Sequence, residues 1–579
     1  MAQPAFTLAF MIRKSFLRVC LALSSLCALA LAASAASKPN LVLITLDSVR
    51  ADRLSFLGGK GVTTPNLNHL AAESLVFEHA YAQAPGTVVS HATILTGAYP
   101  QNTGLSEIGG TLSGSLPSLP DLLKSQGYKT AAFVGSIDLD PWNGVAQGLD
   151  RGFQSYDAGF RPVTAGDAKA PVTERSGAEV VAHAAAWLAK NAQGPFFIWV
   201  HINDASAAHA GYNAAVGAAD AAVGKLLTAL KTQKLDANTG IIVVADHGQS
   251  LGAHGEDGHG IFLYDETIHV PLLIKLPEAQ TSAKQVSAKV RLVDIAPTVL
   301  EIAQIPVPSQ MQGQSLLRVA KGGGGSDQPV YSRSDLSQRG FGWSILESWR
   351  AGKYLFIRAP KPELYDMTAD PAAAHNLAQS SKATLDTMAS QLDSFDRRFS
   401  GQGGKSSSEL STSEMQKLAS LGYVGLQASS SGATSVSGTD PKDKIATANK
   451  VIEVTPSLIV PAKAERAVAA LSPVVASDSN LYLAEYTLGV ALAEKGQYAE
   501  AAKHLHKAVG LQPESGWAHY EMGATLLKTG DVKTAAVHLE IATTRLPGFA
   551  AAHAGLAEAY GHLGRAEDAK KEKARAGEK

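Results

Sequence analysis

IIVVADHGQSLGAHGEDGHGIFLYDETIHVP, residues 241–271, is the most informative stretch of this chain. Its first five residues are apolar and mostly β-branched, which predicts a buried parallel strand. The polarity changes abruptly at Asp246 and His247, and side chains at the end of such a strand face the ligand-binding edge of an α/β sheet. The pair therefore predicts a metal site. A simple Asp-His-Gly turn with solvated histidines is the alternative interpretation.

A second apolar run, Leu41 to Leu46, ends at Asp47 in the same way. Two parallel strands that end in carboxylates would bring those carboxylates to one edge of the sheet. Capping of a helix or turn is the alternative role for Asp47. Helix and strand patterns alternate again at 121–134 and 215–245, which predicts a doubly wound α/β sheet.

The stretch APGTVVSHATILTGAYP, residues 84–100, is typical of a turn followed by the start of a helix. A hydroxyl at a helix N-terminus is favoured as an anionic nucleophile, because the free N–H groups there stabilise negative charge. Thr87 is the candidate for that role. Ser90 is predicted to be the helix N-cap.

Residues 1–36 are predicted to be a secretory signal. Basic residues precede an apolar run at 19–33, the small residues at 33–35 form a cleavage site, and the run is too short for a membrane span. Both cysteines, Cys20 and Cys27, lie inside this segment, so the mature chain has no disulfide. We expect a periplasmic or secreted protein with no membrane span in the mature chain.

Length and charge limit the classes of protein that need to be considered. A chain of 579 residues predicts two or three domains. The net charge is -1 and charged residues make up 18% of the chain, so no nucleic-acid surface is indicated.

The composition of the chain changes at about residue 401, and a repeating pattern begins at about residue 445. Residues 401–444 are rich in Ser, Gly and Thr and predict a linker, within which Met415–Leu426 is expected to dock on the catalytic domain. A 34-residue period then relates Gly489 to Gly523 and recurs at other small residues, a pattern that resembles tetratricopeptide repeats. Residues 445–579 are therefore predicted to be an all-α repeat solenoid that binds a protein or peptide partner.

Five blocks in a fixed order resemble the sulfatase-like branch of the alkaline phosphatase superfamily over about residues 38–380. The resemblance implies a doubly wound mixed sheet of alkaline phosphatase and sulfatase type, with a catalytic domain at 37–400. The blocks are NLVLITLDSVRADRLSFLG, APGTVVSHATILTGAYP, VVADHGQSLGAHGEDGHGIFLYDETIHVPLLI, VRLVDIAPTVLEIAQIPVPSQMQGQSLL and KPELYDMTADPAAAHNL.

The resemblance also implies a metal site. Asp47, Asp246 and His247 match metal ligands of the family, and Thr87 matches the nucleophile, which also binds the metal. Such a set of oxygen and nitrogen ligands suits one divalent ion, which could be Ca, Mn or Zn. Sulfatases proper use a formylglycine made within a Cys-x-Pro-x-Arg sequence. Thr87 lacks that context, so no formylglycine is expected.

Two histidines are implied to act on the substrate. His259 matches a basic group that contacts the transferred anion, and His254 lies near it in sequence. Where phosphoryl-transferring relatives place an anion-binding Asn, this chain has Ile108. The spacing of Asp204 and His209 does not match a second metal site, which favours a single ion.

The expected function is an exported, metal-dependent hydrolase of sulfate or phosphate/phosphonate esters that acts on an anionic ester through Thr87. One alternative is a transferase that moves a phospho-linked group. Another is a catalytically impaired sulfatase-like scaffold that acts through its repeats, which the changes at Ile108 and Ser206 would favour.

Overall fold

The computed structural model describes residues 38–142, 145–160, 174–206, 211–277, 284–320, 327–399, 411–421, 423, 436–455 and 463–577. The predicted signal at residues 1–36 lies outside this part of the chain. Among the described residues, no helix has both the length and the apolar character that a membrane crossing requires.

Fourteen strands are described. They are β1 Asn40–Leu46, β2 Leu75–Tyr81, β3 Leu105–Ser106, β4 Gly109–Gly110, β5 Lys129–Phe133, β6 Ser155–Asp157, β7 Phe196–Ile202, β8 Thr239–Ala245, β9 His269–Lys275, β10 Lys284–Arg291, β11 Val330–Ser334, β12 Leu346–Ala351, β13 Tyr354–Arg358 and β14 Glu363–Asp366.

The main sheet has eight strands in the order β10-β2-β9-β8-β1-β7-β5-β6. All its neighbouring pairs are parallel except those that β9 makes with β2 and β8, which are antiparallel. The predicted doubly wound mixed sheet is therefore confirmed. Strands β11 to β14 form a second, antiparallel sheet.

The helices of the catalytic region surround these sheets. They are α1 Pro65–Ala71, α2 Thr87–Thr96, α3 Pro100–Thr103, α4 Leu119–Ser125, α5 Gly177–Asn191, α6 Tyr212–Thr232, α7 Asp265–Ile268, α8 Ile295–Ile302, α9 Leu316–Ala320, α10 Leu336–Phe341 and α11 Lys382–Phe399.

Helices of the linker and repeat regions follow. They are α12 Thr412–Ser420, α13 Ile445–Val454, α14 Ala464–Ser477, α15 Tyr482–Glu494, α16 Tyr498–Leu511, α17 Gly516–Thr529, α18 Val532–Arg545, α19 Ala550–His562 and α20 Ala566–Arg575.

The centre of the main sheet fixes the position of the predicted site. Every residue of β1, β7 and β8 is buried, as the apolar runs predicted. β1 pairs with β8 in parallel, and Leu46 lies opposite Ala245. Asp47 and Asp246 are the next residues along the two strands, so they lie side by side at the end of the sheet.

The predicted docking segment contacts the repeats, which corrects the expectation that it docks on the catalytic domain. Lys417 of α12 forms an ion pair with Glu540, and Glu414 forms one with Arg545. The ring of Tyr423, just beyond α12, stacks on His506 at 4.4 Å. All three partners belong to the repeat helices.

Glycine recurs every 34 residues at two kinds of position, and each kind requires glycine for a different physical reason. Gly496, Gly530 and Gly564 have positive φ angles of 73°, 84° and 73°, the left-handed conformation that lets a chain turn between two helices. Gly489 and Gly523 lie inside helices, where a Cβ would come within 2.7 Å of Leu505 and 2.6 Å of Leu539 respectively. The period therefore encodes both a turn and close helix packing, and the predicted all-α solenoid is confirmed.

A polar pair joins the two helices of each of the last three repeats. Successive pairs are offset by 34 residues, so the same two positions carry Glu485 and His504, then His519 and His538, then His553 and Glu572. The separations are 2.7, 2.8 and 2.6 Å. The middle pair has no carboxylate, and both of its rings are buried.

The middle pair should make the protein acid-sensitive. Burial lowers the pKa of His519 to about 4, and burial together with the neighbouring His519 and His506 lowers the pKa of His538 well below its ordinary value. The unfolded chain takes up protons at about pH 6.5, before these folded histidines do, so stability falls as the pH drops from about 6.5 to about 4. We expect each histidine of this pair to account for about 2 kcal/mol of the stability lost between pH 7.5 and pH 5, which is about 4 kcal/mol for the pair.

The variant His538→Glu places in the second repeat the His-Glu pair that the third repeat already has. It should lose less stability between pH 7.5 and pH 5 than the unmodified chain does, measured by denaturant unfolding followed by circular dichroism. His562→Gln, an exposed change on α19, serves as the control and should leave the pH dependence unchanged. An equal loss in His538→Glu and in the unmodified chain would show that the pair is not responsible.

Candidate functional site

Three elements bring the predicted ligands together. Asp47 follows β1, Asp246 and His247 follow β8, and Thr87 is the first residue of α2. All four residues are buried. The structure thus brings together the four residues that the sequence assigned to the metal site.

The threonine hydroxyl lies at the centre of this group. Thr87 Oγ1 is 3.1 Å from Asp47 Oδ2 and 3.1 Å from His247 Nε2. His247 Nε2 is also 3.5 Å from Asp246 Oδ2 and 3.7 Å from Asp47 Oδ1. One ligand atom from each of Asp47, Asp246 and His247 can be chosen so that all three lie within 4.8 Å of one another.

The hydrogen bonds of the site leave the right atoms free for a cation. His247 Nδ1 donates to the carbonyl of Gly248 at 2.8 Å, so Nε2 of the neutral ring carries a lone pair. Asp246 Oδ1 accepts from the backbone N–H groups of His247 and Ser48, at 2.8 and 3.2 Å. Asp246 Oδ2 is buried without a hydrogen-bond partner among the described residues. His247 Nε2, Asp246 Oδ2 and the hydroxyl of Thr87 are therefore ligand atoms that suit one divalent ion.

The pKa shifts of the two carboxyl groups also favour a bound cation. Burial and the nearby carboxylate of Asp47 raise the pKa of Asp246 well above its ordinary value. Burial would also raise the pKa of Asp47, but a hydrogen bond from His201 and the nearby histidines hold it below the usual range. Two buried carboxylates this close do not ionise together without a compensating positive charge.

His201, at the end of β7, is a site residue that the sequence analysis missed. Its Nδ1 accepts from the backbone N–H of Gly135 at 3.3 Å, so its Nε2–H donates to Asp47 Oδ2 at 3.2 Å. The ring therefore orients Asp47. Its position at the end of the strand beside β1 was the available signal.

His91 was missed as well. Its Nδ1 donates to the carbonyl of Thr87 at 2.7 Å, and its Nε2 accepts from the hydroxyl of Thr45 at 2.9 Å. Trp199 Nε1 in turn donates to that hydroxyl at 2.9 Å. This chain of hydrogen bonds fixes the first turn of α2.

His91, His201 and Asp246 also lie close enough to form a second metal-binding group. Both ring nitrogens of His91 and of His201 already have hydrogen-bond partners. Asp204, the candidate for a second metal, instead accepts from the backbone N–H of Gly177 at 2.8 Å. His209 lies outside the described residues. The geometry therefore favours the single group around Thr87.

The two predicted substrate histidines have different surroundings. The ring of His259 packs against His247 with centroids 4.2 Å apart, and its Nδ1 lies 3.2 Å from the carbonyl of Pro85. Burial, then the charge of His247, lower the pKa of His259 to about 3. His259 therefore lies at the site as a neutral imidazole.

His254 does not join the site, which corrects the prediction that placed it beside His259. Its ring stacks on Tyr264 with centroids 3.7 Å apart, its Nδ1 lies 3.7 Å from Glu266, and its Nε2 faces the carbonyl of Ala373 at 3.4 Å. These contacts fix a loop in which His254 itself has a positive φ of 54°.

The N-terminus of α2 also differs from the prediction. Gly86 occupies the N-cap position, whereas Ser90 lies inside the helix and donates to the carbonyl of Ala84 at 3.0 Å. The carboxylate of Glu107 accepts from the backbone N–H groups of Val88 and Val89, at 3.3 and 3.0 Å. A side chain from another part of the chain therefore replaces the predicted local cap.

Comparisons with known proteins place the chain among sulfatase-like proteins with a tetratricopeptide-type repeat. Residues 39–305 match the family described as Sulfatase, residues 255–397 match N-sulphoglucosamine sulphohydrolase, C-terminal, and residues 489–530 match the TPR repeat. The chain is 26% identical over 415 residues to an "Ulvan-active sulfatase" of Formosa agariphila, covering 62% of this chain and 80% of that protein.

Two solved structures share the fold. One is a complex with the substrate D-glucosamine-2-N,6-O-disulfate, at a TM-score of 0.52 and 20% identity, covering 63% of this chain and 98% of that one. The other is the phosphonate monoester hydrolase of Agrobacterium radiobacter, at a TM-score of 0.53 and 20% identity, covering 65% and 98%.

The hydrogen bond from His201 predicts a measurable effect on the metal. His201→Leu should lower the affinity for the divalent ion about 10- to 100-fold, because Asp47 loses the N–H donor that orients it. The measurement is the metal content after dialysis against graded chelator, read by elemental analysis.

His254→Leu is the matched control, since that ring lies outside the ligand group, and it should retain the unmodified affinity. Equal metal loss in both variants, or none in His201→Leu, would contradict the assignment.

Proposed function

We propose that the sulfatase-like domain at residues 39–305 is a metal-dependent hydrolase that cleaves anionic esters with Thr87 as the nucleophile. Sulfate esters are the first candidates, and phosphate or phosphonate esters the second. The observation that carries the proposal is the position of Thr87 Oγ1, at 3.1 Å from both Asp47 and His247.

In the proposed reaction, Thr87 Oγ attacks the sulfur of the ester. The bond between sulfur and the alcohol oxygen breaks, and that oxygen takes up a proton as the alcohol leaves. Water then attacks the sulfur of the Thr87 ester, which releases sulfate and returns a proton to Thr87. A bound divalent ion would supply the positive charge that makes the hydroxyl acidic near neutral pH.

Side chains around Thr87 would hold it in position and transfer the proton. Asp47 is oriented by His201, and the first turn of α2 is fixed by His91, so Thr87 is held in place before substrate binds. His259 donates its Nδ1–H to the carbonyl of Pro85, so Nε2 of the neutral ring carries a lone pair that takes the proton of the Thr87 hydroxyl and then gives it to the leaving oxygen.

Two alternatives involve the same site. A transferase would pass the group from Thr87 to an alcohol instead of to water, and an impaired scaffold would bind without turnover. Ile108, at the position where relatives have an anion-binding Asn, favours the scaffold, but the convergence of the ligand atoms favours an active enzyme.

We further propose export to the periplasm or beyond, on the pattern of residues 1–36, and a protein or peptide partner for the repeats. Export predicts a mature chain that begins near residue 37. N-terminal sequencing of protein recovered outside the cytoplasm checks this, and an intact N-terminus there would refute it.

The nucleophile is tested by a pair of substitutions at one position. Thr87→Ala should lower kcat on 4-nitrophenyl sulfate by about 1000-fold or more, because the attacking oxygen is lost, while Thr87→Ser should stay within about 10-fold. Ser90→Ala removes another hydroxyl of the same helix, one that bonds only to Ala84 among the described residues, and should stay within about threefold.

Turnover that survives Thr87→Ala would rule out this nucleophile. Reactions run with added ethanol or ethanolamine separate the enzyme classes, since a hydrolase releases free sulfate or phosphate and a transferase forms a new ester.

A further inference from the structure

The loop of residues 255–262 carries His259 to the proposed active site. Inside the catalytic region, the buried carboxylate of Glu256 accepts from the backbone N–H groups of Ile261 and Phe262, at 2.9 and 3.2 Å. Glu256 precedes His259 and its two donors follow it, so these hydrogen bonds close the loop around the histidine.

Both chain neighbours of His259 are held as well. The backbone N–H of Ser250 donates to the carbonyl of Gly258 at 2.8 Å, and the hydroxyl of Ser334 donates to the carbonyl of Gly260 at 2.6 Å. The position of the imidazole therefore follows the position of this backbone, and a group that holds the loop also places the ring.

A side chain of the repeat region holds the other side of the loop. Asn449, on α13, donates from Nδ2 to the carbonyl of Gly255 at 2.8 Å and accepts at Oδ1 from the backbone N–H of Asp257 at 3.3 Å. One amide thus binds both residues that flank Glu256. Reversing this amide would set donor against donor and acceptor against acceptor, so both bonds depend on its orientation.

Helix α13 is itself fixed between the catalytic region and the other repeats. Just before it, Asp440 accepts from the backbone N–H of Lys361 at 2.9 Å, and Lys442 forms an ion pair with Glu363 at 2.7 Å. The helix packs on α14 and α15 of the repeats. Asn449 therefore connects the repeats to the loop, and a shift of α13 would be passed to that loop.

We propose that Asn449 is a positioning residue for His259, through which the repeat region contributes to the catalytic centre. In the proposed reaction, the ring of His259 takes the proton of the Thr87 hydroxyl and gives it to the leaving oxygen. Both transfers need the ring nitrogen within hydrogen-bond reach, and a misplacement of about 1 Å can cost about 100-fold in rate. Loss of Asn449 frees only one side of the loop, so a smaller effect is expected. This inference rests on the proposed function.

A double-mutant cycle tests whether Asn449 acts through His259. Asn449→Leu nearly keeps the size of the side chain and removes both hydrogen bonds, so kcat on phenyl sulfate should fall about tenfold while KM stays within about twofold. In a chain that already carries His259→Ala, the same substitution should change kcat by less than about twofold, because no imidazole is left to position.

Lys450→Leu is the matched control on the same helix. Lys450 is exposed, and its side chain has no hydrogen bond or ion pair in the part of the chain that the structure describes. This variant should keep the unmodified kcat, and the melting temperatures of all variants show that they fold. If Asn449→Leu lowers kcat by the same factor with and without His259, or does not lower it at all, the positioning role is wrong.

Amide hydrogen exchange tests the loop without turnover. In Asn449→Leu, the amides of Ile261 and Phe262, which bond to Glu256 and not to Asn449, should exchange about tenfold faster, while those of β8 and those of Lys450→Leu stay unchanged. Mass spectrometry of a peptide that covers residues 260–264 reads the change. If no ester is hydrolysed but these amides respond, the proposed function fails and the hold of α13 on the loop stands. If they do not respond, this inference is wrong whatever the chemistry.

Discussion

Two buried carboxylates side by side are the constraint on which the rest of this molecule depends. Asp47 and Asp246 follow neighbouring parallel strands whose register makes them adjacent, and both are removed from solvent. Such a pair is unfavourable without a compensating cation, since burial and mutual repulsion both oppose ionisation. The neutral imidazole of His247 and the hydroxyl of Thr87 complete the donors around the same point. A cation held among these four residues would supply the charge that the pair of carboxylates needs.

The surrounding histidines explain how this cluster is held rigid. His201 orients Asp47 from β7, and His91 ties Thr87 to β1 through the hydroxyl of Thr45. Each ring has both nitrogens occupied, which fixes its tautomer and its orientation. Three adjacent strands and one helix therefore contribute to a single geometry, and none of these groups can move alone. Rigid placement of this kind is what catalysis by proximity requires.

The sequence predicted what depends on local pattern and missed what depends on tertiary contact. The buried strands at β1 and β8 and the ligands at their ends follow from apolar runs that stop at a carboxylate. His201 also ends a buried strand, but a single histidine there carries no pattern that separates a ligand-orienting ring from a core residue. Ser90 was predicted to cap α2 because serine often caps helices, whereas Glu107 from another segment does so. His254 was grouped with His259 by proximity in sequence, but a turn of positive φ directs it elsewhere.

The way the repeats meet the catalytic region limits what each of them can do. Gln147 donates to the carbonyl of Arg545 and helix α10 packs on α15, which joins the repeats to the catalytic region. The linker helix α12 is tied to the same repeats through Arg545 and Glu540. The solenoid is therefore fixed to the catalytic region by side-chain contacts on more than one of its helices. A partner that bound the remaining surface of the repeats would act on a body whose orientation the fold already sets.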